Sequence, residues 1–399
     1  MQTYRAIFGV REFRVLFGVR TVTMLGLMVS SLAIGTVIFD QTGSPLLTSV
    51  ALFGGPLVQL LTSHFLLAGA DLMRPRTAMV LAAATAGVTD LLQLIPDLAW
   101  WGRFGILAVG YVIFAATSGT VIALLSDIVP RESFVLARAT LNITVGGSQI
   151  LGYAIGAILL NWRQPTGLFW ISGGLTILAA ALIRWRIGNH PPRAEGNIVV
   201  RTQAVNRQLL SSPVIRPVLL MMWIPNGLIV GCEAMFIPYA GQRGGYLLAA
   251  TAAGMLAGDV VIGRFIPEAS RDRLILPLRI LLAVPFLFFV LRPTLAVACV
   301  LSAAAAFGYP AALPLQERLV DNTEHDVIGQ VFGLAGTGTM IGQSAGAMVA
   351  GVLADVLGSG SRSAATTMTV MAVLSLAATA VLIGGLRRST PVAAGIEAA

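Results

Sequence analysis

Several acidic and amide side chains lie inside long apolar segments of this chain, where they could bind a proton or form hydrogen bonds. Glu233 lies in an apolar segment at about 217–239 that also carries Asn226. Ionisable groups inside a bilayer are costly, so they mark ion or proton paths. Burial favours the neutral form of a carboxyl, which would let Glu233 exchange a proton when water reaches it. Glu233 is therefore the predicted proton-coupling residue; the alternative is a structural hydrogen-bond partner at the outer end of its helix.

Polar side chains on other apolar segments could line a path for a solute. Asn142, Gln149 and Tyr153 are spaced by seven and four residues, which puts them on one helical face. The predicted pathway residues are Tyr111, Thr117, Asn142, Gln149, Tyr153, Asn226, Tyr309 and Gln343. The same face could equally pack against another helix, because polar side chains also bond across helices in membranes.

Signatures of enzymes are missing from the sequence. It contains no H-E-x-x-H, no G-x-S-x-G and no phosphate-binding G-x-x-x-x-G-K-[ST], and all 26 basic residues are arginine. Two cysteines and three scattered histidines form no metal-ligand pattern. We therefore expect no enzyme activity, no cofactor and no metal.

Twelve apolar segments are the elements that must position these side chains. Hydrophobic residues make up 56% of the 399 positions and charged residues 11%, against roughly 25% charged in soluble domains. The first six segments lie at about 17–39, 46–69, 77–96, 104–126, 140–161 and 167–184. The other six lie at about 217–239, 245–265, 274–291, 294–316, 330–353 and 364–386. About 20 apolar residues cross a bilayer, so the pattern predicts an all-α membrane protein with twelve transmembrane helices.

A polar stretch at 187–216 divides the segments into two groups of six. It predicts an N-terminal bundle at 1–186, a cytoplasmic linker at 187–216 and a C-terminal bundle at 217–399. Short echoes between the halves, such as Ala68-Gly-Ala-Asp71 and Ala257-Gly-Asp259, indicate pseudo-symmetric bundles.

The arginines predict the orientation in the membrane. With both termini inside, 21 arginines lie in cytoplasmic loops or at their interface, Arg279 among them, and five lie outside. Asp90 and Asp97 are then expected at the external surface. The basic residues sit in short loops between apolar segments, so nucleic acid is not an expected partner despite the net charge of +8. We expect a multi-pass protein of the cell membrane.

Several motifs give the chain a family resemblance. The loop Gly69-Ala-Asp-Leu-Met-Arg-Pro-Arg76 resembles the signature between helices two and three of the major facilitator superfamily of secondary transporters. Two other segments, Asp40-Gln-Thr-Gly-Ser44 and Asp127-Ile-Val-Pro-Arg-Glu132, resemble the branches of that family that export drugs and metabolites, including macrolides. The stretch from Gly329 to Asp355 resembles the same branches.

The resemblance implies two six-helix bundles around a central cavity and transport by alternating access. It implies a conformational latch at Asp71, Arg74 and Arg76, with Asp259 and Arg264 as the counterpart; a solvated loop is the alternative. The expected activity is proton-driven export of a hydrophobic or amphipathic small molecule, such as a drug or secondary metabolite, by a monomer. An importer or a lipid or siderophore mover on the same fold stays open, as does a membrane sensor that transports nothing.

Overall fold

A computed structural model describes residues 4–58, 73–117, 120–130, 133–160, 164–190, 207–323 and 328–388. Every regular element in these ranges is helical, and the described residues contain no strand. The predicted all-α class is confirmed.

Within the described residues, eight α-helices precede the predicted linker. They are α1 Tyr4–Gly9, α2 Arg11–Thr42, α3 Pro45–Phe53, α4 Pro75–Leu92, α5 Trp100–Thr117, α6 Thr120–Ile128, α7 Phe134–Leu160 and α8 Leu168–Arg186. The break between α2 and α3 is encoded locally. Gly43 takes the left-handed conformation (φ 62°) and its N–H bonds the Phe39 carbonyl, which closes α2. The Ser44 side chain then caps α3, and Pro45 occupies the first turn, where a missing N–H costs nothing.

The helices after the linker are α9 Ile215–Ala234, α10 Phe236–Ala240, α11 Gly244–Phe265, α12 Glu268–Arg271, α13 Ile275–Leu287, α14 Leu295–Ala306, α15 Ala312–Asp321, α16 Ile328–Val356 and α17 Ser361–Arg388. Pro225 lies inside α9 and lacks the N–H that would continue the helical ladder. The Ser375 hydroxyl of α17 donates to the Pro225 carbonyl at 3.0 Å, which ties α17 to α9 at that point.

Eight stretches of the described residues are long and apolar enough to cross a bilayer. They are Arg11–Thr42, Trp100–Thr117, Pro165–Arg186, Ile215–Phe265, Asp272–Leu291, Leu295–Asp321, Val331–Val356 and Ser361–Leu386. The longest of these contains two of the predicted segments, and the predicted segment 46–69 runs into residues outside the described ranges. The chain is a multi-pass membrane protein.

Close contacts group the chain into two units. Unit 1 combines Met1–Glu195 with Phe236–Ala252, and unit 2 combines Gly196–Met235 with Ala253–Ala399. The division into bundles at a linker of residues 187–216 stays a prediction.

Unit 1 is built around α2, which packs against α7 and α8, while α4 also packs against α8. Small residues permit this closeness: a Cβ on Gly152 of α7 would lie 2.5 Å from the Met28 Cβ of α2. One end of the unit holds a fully buried apolar cluster with Phe13, Leu16 and Leu124 at its centre.

Unit 2 is built around α9, which packs against α16 and α17. The α9–α16 contact is made by main chain on main chain: a Cβ on Gly231 would lie 2.7 Å from the Gly346 carbonyl oxygen. Trp223 of α9 donates its indole N–H to the Ala335 carbonyl of α16 at 3.0 Å. This rigid seam fixes the helix that carries Glu233.

Candidate functional site

A buried carboxyl–phenol pair lies in unit 2. The Tyr309 hydroxyl donates to Glu233 Oε1 at 2.6 Å. Glu233 lies in the last turn of α9 and is 9% exposed. No arginine or histidine among the described residues forms an ion pair with it. The carboxyl is therefore held by a hydroxyl, which can donate to a carboxylate or accept from a carboxylic acid.

A short turn after α14 and a close main-chain contact at Gly308 determine the position of Tyr309. α14 ends at Ala306, and a short 3₁₀ turn, Tyr309–Ala311, follows. A Cβ on Gly308 would lie 2.8 Å from the Leu282 nitrogen of α13 and would collide with the Leu278 carbonyl oxygen. Glycine is thus required where the two main chains meet. This close approach positions Tyr309 next to α13.

Arg279 of α13 is the third member of this group. It is 3% exposed and interacts electrostatically with Tyr309. Its Nε has no hydrogen-bond partner in the described part of the chain. Packing of α13 against α14 and α17 buries its side chain, and the place of Arg279 on the cytoplasmic side of the membrane stays a prediction. We call Glu233, Tyr309 and Arg279 the C-terminal polar cluster.

The other predicted pathway residues of unit 2 stay outside this cluster. Asn226 of α9 is buried, and its Oδ1 has no partner among the described residues. Gln343 of α16 is half-buried. Of the three predicted pathway residues in this unit, the structure brings Tyr309 onto Glu233, and a pathway role for all three stays a prediction.

The predicted pathway residues of unit 1 are spread over α5 and α7. Tyr111 packs so closely on Gly55 that a Cβ there would lie 2.6 Å from its ring. Thr117 donates to the Ile113 carbonyl at 2.9 Å, so its hydroxyl is bonded within its own helix. Gln149 and Tyr153 are half-buried on α7, and the side chain of Asn142 lies outside the described residues. An apolar groove between α4 and α5 is lined by none of these residues.

Asp90 of α4 is a functional candidate that sequence reasoning missed. It was expected at the external surface together with Asp97. Asp97 is exposed, but Asp90 is 8% exposed and accepts a hydrogen bond from the Ser30 hydroxyl at 2.5 Å. The expectation for Asp90 was wrong because α4 runs on to Leu92, α8 packs against α4, and Ser30 of α2 bonds the carboxyl.

Arg103 of α5 is also buried, at 3% exposure. It donates to the Gln93 carbonyl oxygen at 2.8 Å, to Gln93 Oε1 at 3.2 Å and to Gln41 Oε1 at 3.3 Å. These oxygens satisfy the guanidinium without a carboxylate, so Arg103 ties together the ends of α2, α4 and α5.

The predicted latch is only partly within the described residues. Asp71 lies outside them; Arg74 is exposed and precedes α4, and Arg76 is half-buried in its first turn. Asp259 and Arg264 are both exposed on α11 and form no ion pair with each other.

Two other pairs cross-link the loop after α11 to α15. Arg271 bonds Glu317 at 2.6 Å, and Arg318 bonds both oxygens of Asp272 at 2.6 and 2.7 Å. Glu317 and Arg318 are adjacent residues of opposite charge, and the loop at 271–273 is rich in arginine. This charge pattern could have predicted the two ion pairs from the sequence.

The described helices cross a membrane repeatedly and bury ionisable groups such as Glu233 and Asp90, a combination that is typical of membrane transport proteins. The chain matches the Major Facilitator Superfamily over residues 16–246, more than half of its length, and it belongs to that family. No curated protein matches the chain. Members of this family are transporters and generally not enzymes.

Solved structures extend the similarity of fold to nearly the whole chain. A bacterial homologue of the human lysosomal transporter Spinster, in an inward-facing and unoccupied conformation, is 15% identical over 94% of this chain and 96% of that chain (TM-score 0.71). A POT family transporter in complex with 5-aminolevulinic acid is 12% identical over 95% and 97% (TM-score 0.72). A D-xylose–proton symporter is 11% identical over 96% and 99% (TM-score 0.69). Identities this low show the shared fold alone.

Proposed function

We propose that this protein is a secondary active transporter that exports a hydrophobic or amphipathic small molecule in exchange for protons. The observation that carries the proposal is the Glu233–Tyr309 pair: a carboxyl that is buried, unpaired by any cation in the described residues and held by a hydroxyl. Such a group can lose its proton when the protein opens to one side and regain it when the protein opens to the other. A proton carrier inside the membrane needs this property.

Alternating access would supply the two openings, with two bundles rocking about a site near the midplane. Asp71, Arg74 and Arg76, with Asp259 and Arg264, would then latch the cytoplasmic side in one of the states. In this proposal the protein is a monomer in the cell membrane. The 21:5 distribution of its arginines supports an orientation with both termini in the cytoplasm.

The substrate follows from the predicted pathway residues. Their aromatic, hydroxyl and amide groups suit a bulky molecule with an apolar body and few charges, such as a drug or secondary metabolite. This chemistry and the exporter-like motifs support efflux.

Import of an acidic solute is the second candidate, and Arg279 favours it. A buried guanidinium with an unbonded Nε attracts a carboxylate or phosphate group more strongly than any neutral group. Arg279 lies beside Tyr309, so an acidic ligand would bind next to the proton-carrying pair.

Proteoliposomes test the two candidates together. Purified protein is reconstituted, a pH gradient is imposed, and uptake or release is followed for lipophilic compounds that are neutral, cationic or acidic. Wild type is compared with Glu233→Gln, which keeps the size and hydrogen bonding of the side chain but cannot ionise. Asp97→Asn is the control, because it makes the same change at an exposed acid.

We expect wild type and Asp97→Asn to move an amphipathic compound against its own gradient when protons run the other way. Glu233→Gln should keep exchange of the compound but lose the response to the pH gradient. Equal gradient-driven transport by Glu233→Gln would remove Glu233 from the mechanism. Flux of acidic compounds alone, in the direction of the protons, would establish the second candidate, and binding without flux would indicate a sensor.

A further inference from the structure

The carboxyl of Asp90 is a buried ionisable group in unit 1 that the proposed exchange at Glu233 does not use. The Ser30 hydroxyl of α2 donates to its Oδ1 at 2.5 Å. The Ser172 side chain of α8 also interacts with the carboxyl, while its hydroxyl donates to the Phe169 carbonyl of its own helix at 3.4 Å. Asp90 is 8% exposed, and Ser172 is fully buried. Three helices therefore enclose one carboxyl with two hydroxyls.

Glycines one turn from these groups build the enclosure. A Cβ on Gly87 of α4 would lie 2.6 Å from Ile177 Cγ1 of α8. A Cβ on Gly173 of α8 would lie 3.2 Å from the Gly87 carbonyl oxygen. On α2, a Cβ on Gly26 would lie 3.3 Å from the Ser172 carbonyl oxygen. At this level α8 thus approaches both α2 and α4 closely, and the Asp90 side chain is buried between them.

No cation balances the charge that Asp90 would carry as a carboxylate. Within the described residues it forms no ion pair. Tyr111 of α5 interacts with it electrostatically. The other ionisable groups on the helices around it are Arg11, Glu12, Arg14, Arg20 and Asp40 on α2, Arg103 on α5, Asp127 on α6, and Arg184 and Arg186 on α8. The guanidinium of Arg103 is occupied by glutamine oxygens instead.

We propose that Asp90, Ser30 and Ser172 form a second proton-binding site, in unit 1, separate from Glu233. Hydroxyls serve both states of the carboxyl, because each can donate to the ionised form and accept from the protonated form. An arginine or lysine partner would hold the ionised form permanently. An unpaired carboxyl in an apolar enclosure binds a proton instead of carrying a charge.

The site has a defined part in the cycle if the proposed proton antiport holds. Asp90 takes a proton when water reaches the carboxyl in one state of the transport cycle, keeps it as a carboxylic acid while the carboxyl is buried, and returns it when water reaches the carboxyl in the other state. With Glu233 acting in the same way, the transporter carries two protons for each substrate molecule. Proton release from Asp90 is thereby tied to the packing of one three-helix junction.

Infrared titration of purified protein tests the site without any transport. The C=O stretch of protonated carboxyls is followed against pH for wild type, Asp90→Asn, Glu233→Gln and Asp97→Asn. We expect a band that titrates in wild type, persists in Glu233→Gln and Asp97→Asn, and is lost in Asp90→Asn. Ser30→Ala should keep this band but shift its frequency, because one hydrogen bond to the carboxyl is gone. A titration that Asp90→Asn leaves unchanged would overturn the proposal.

Proton-to-substrate ratios, measured from reversal potentials in proteoliposomes, test the role in transport. We expect a ratio of about two in wild type to fall to about one in Asp90→Asn and to stay at two in Asp97→Asn. Should Asp90→Asn fail to fold, Ser30→Ala supplies the infrared result, and an unshifted band there would contradict the site. Absence of proton-driven flux in wild type would overturn the proposed antiport, while the infrared titration would still decide whether Asp90 binds a proton.

Discussion

The main-chain contact between α9 and α16 gives a quantitative prediction for Gly231→Ala. A Cβ at position 231 would lie 2.7 Å from the Gly346 carbonyl oxygen and 2.5 Å from the Met371 methyl group. The methionine can move, but the carbonyl belongs to a packed helix. A carbon and a carbonyl oxygen normally stay about 3.3–3.6 Å apart, so the helices must separate by at least about 0.6 Å. Overpacking of this kind costs about 1–3 kcal/mol.

The matched control is Gly336→Ala, which lies in α16 and whose added Cβ would meet nothing within 4 Å. Alanine is favoured over glycine inside a helix by about 1 kcal/mol. This gain applies to both variants and cancels when they are compared. We therefore expect Gly231→Ala to be less stable than Gly336→Ala by about 1–3 kcal/mol, and Gly336→Ala to be at least as stable as wild type.

Unfolding in mixed micelles, with sodium dodecyl sulfate as denaturant and circular dichroism as the signal, measures these free energies. Gly346→Ala approaches the same contact from α16, where its Cβ would collide with the Gly227 carbonyl oxygen, and should be destabilising too. Equal free energies of unfolding for Gly231→Ala and Gly336→Ala would refute the main-chain seam.

Two further predictions concern unit 2. Arg271 bonds Glu317 and also the carbonyl oxygens of Ile266 and Gly263, so Arg271→Gln should destabilise by about 1–2 kcal/mol more than Glu317→Gln, measured in the same micelles. Equal losses would mean that the carbonyl bonds contribute nothing. Cys232 is fully buried, whereas Cys299 of α14 is partly exposed, so a maleimide should label the native protein at Cys299 alone. Labelling that survives Cys299→Ser in native protein would contradict this burial.

The sequence predicts the class of fold well because the bilayer imposes one strong rule. Every backbone group must be bonded inside its own segment, so an apolar run such as 364–386 can only be a helix, and α17 confirms it. Glu233 could be singled out as a candidate from the sequence for a related reason: an ionisable side chain inside an apolar segment costs free energy in a bilayer.

Residues near the ends of the runs were predicted less well. Asp90 and Arg279 stand where a side chain could reach either water or a neighbouring helix, and hydropathy does not distinguish the two. Their burial depends on contacts between helices far apart in sequence, such as Gly308 against Leu278 and Gly87 against Ile177. These contacts need the tertiary structure. The latch role of Asp259 and Arg264 stays a prediction; the ion pairs formed nearby involve Glu317 and Asp272.

The buried carboxyls of Glu233 and Asp90 are bonded by hydroxyls, so we expect these hydrogen bonds to be insensitive to ionic strength. Dissolved ions screen charges over about 8 Å at physiological ionic strength, which weakens ion pairs that water can reach, such as Arg318–Asp272. The contacts Tyr309–Glu233 and Ser30–Asp90 are short and buried, and neither carboxyl forms an ion pair within the described residues, so ions in solution have little to screen. Ionic strength thus separates the two kinds of polar contact in this protein: raising it loosens the charged loops and leaves the carboxyl–hydroxyl pairs intact.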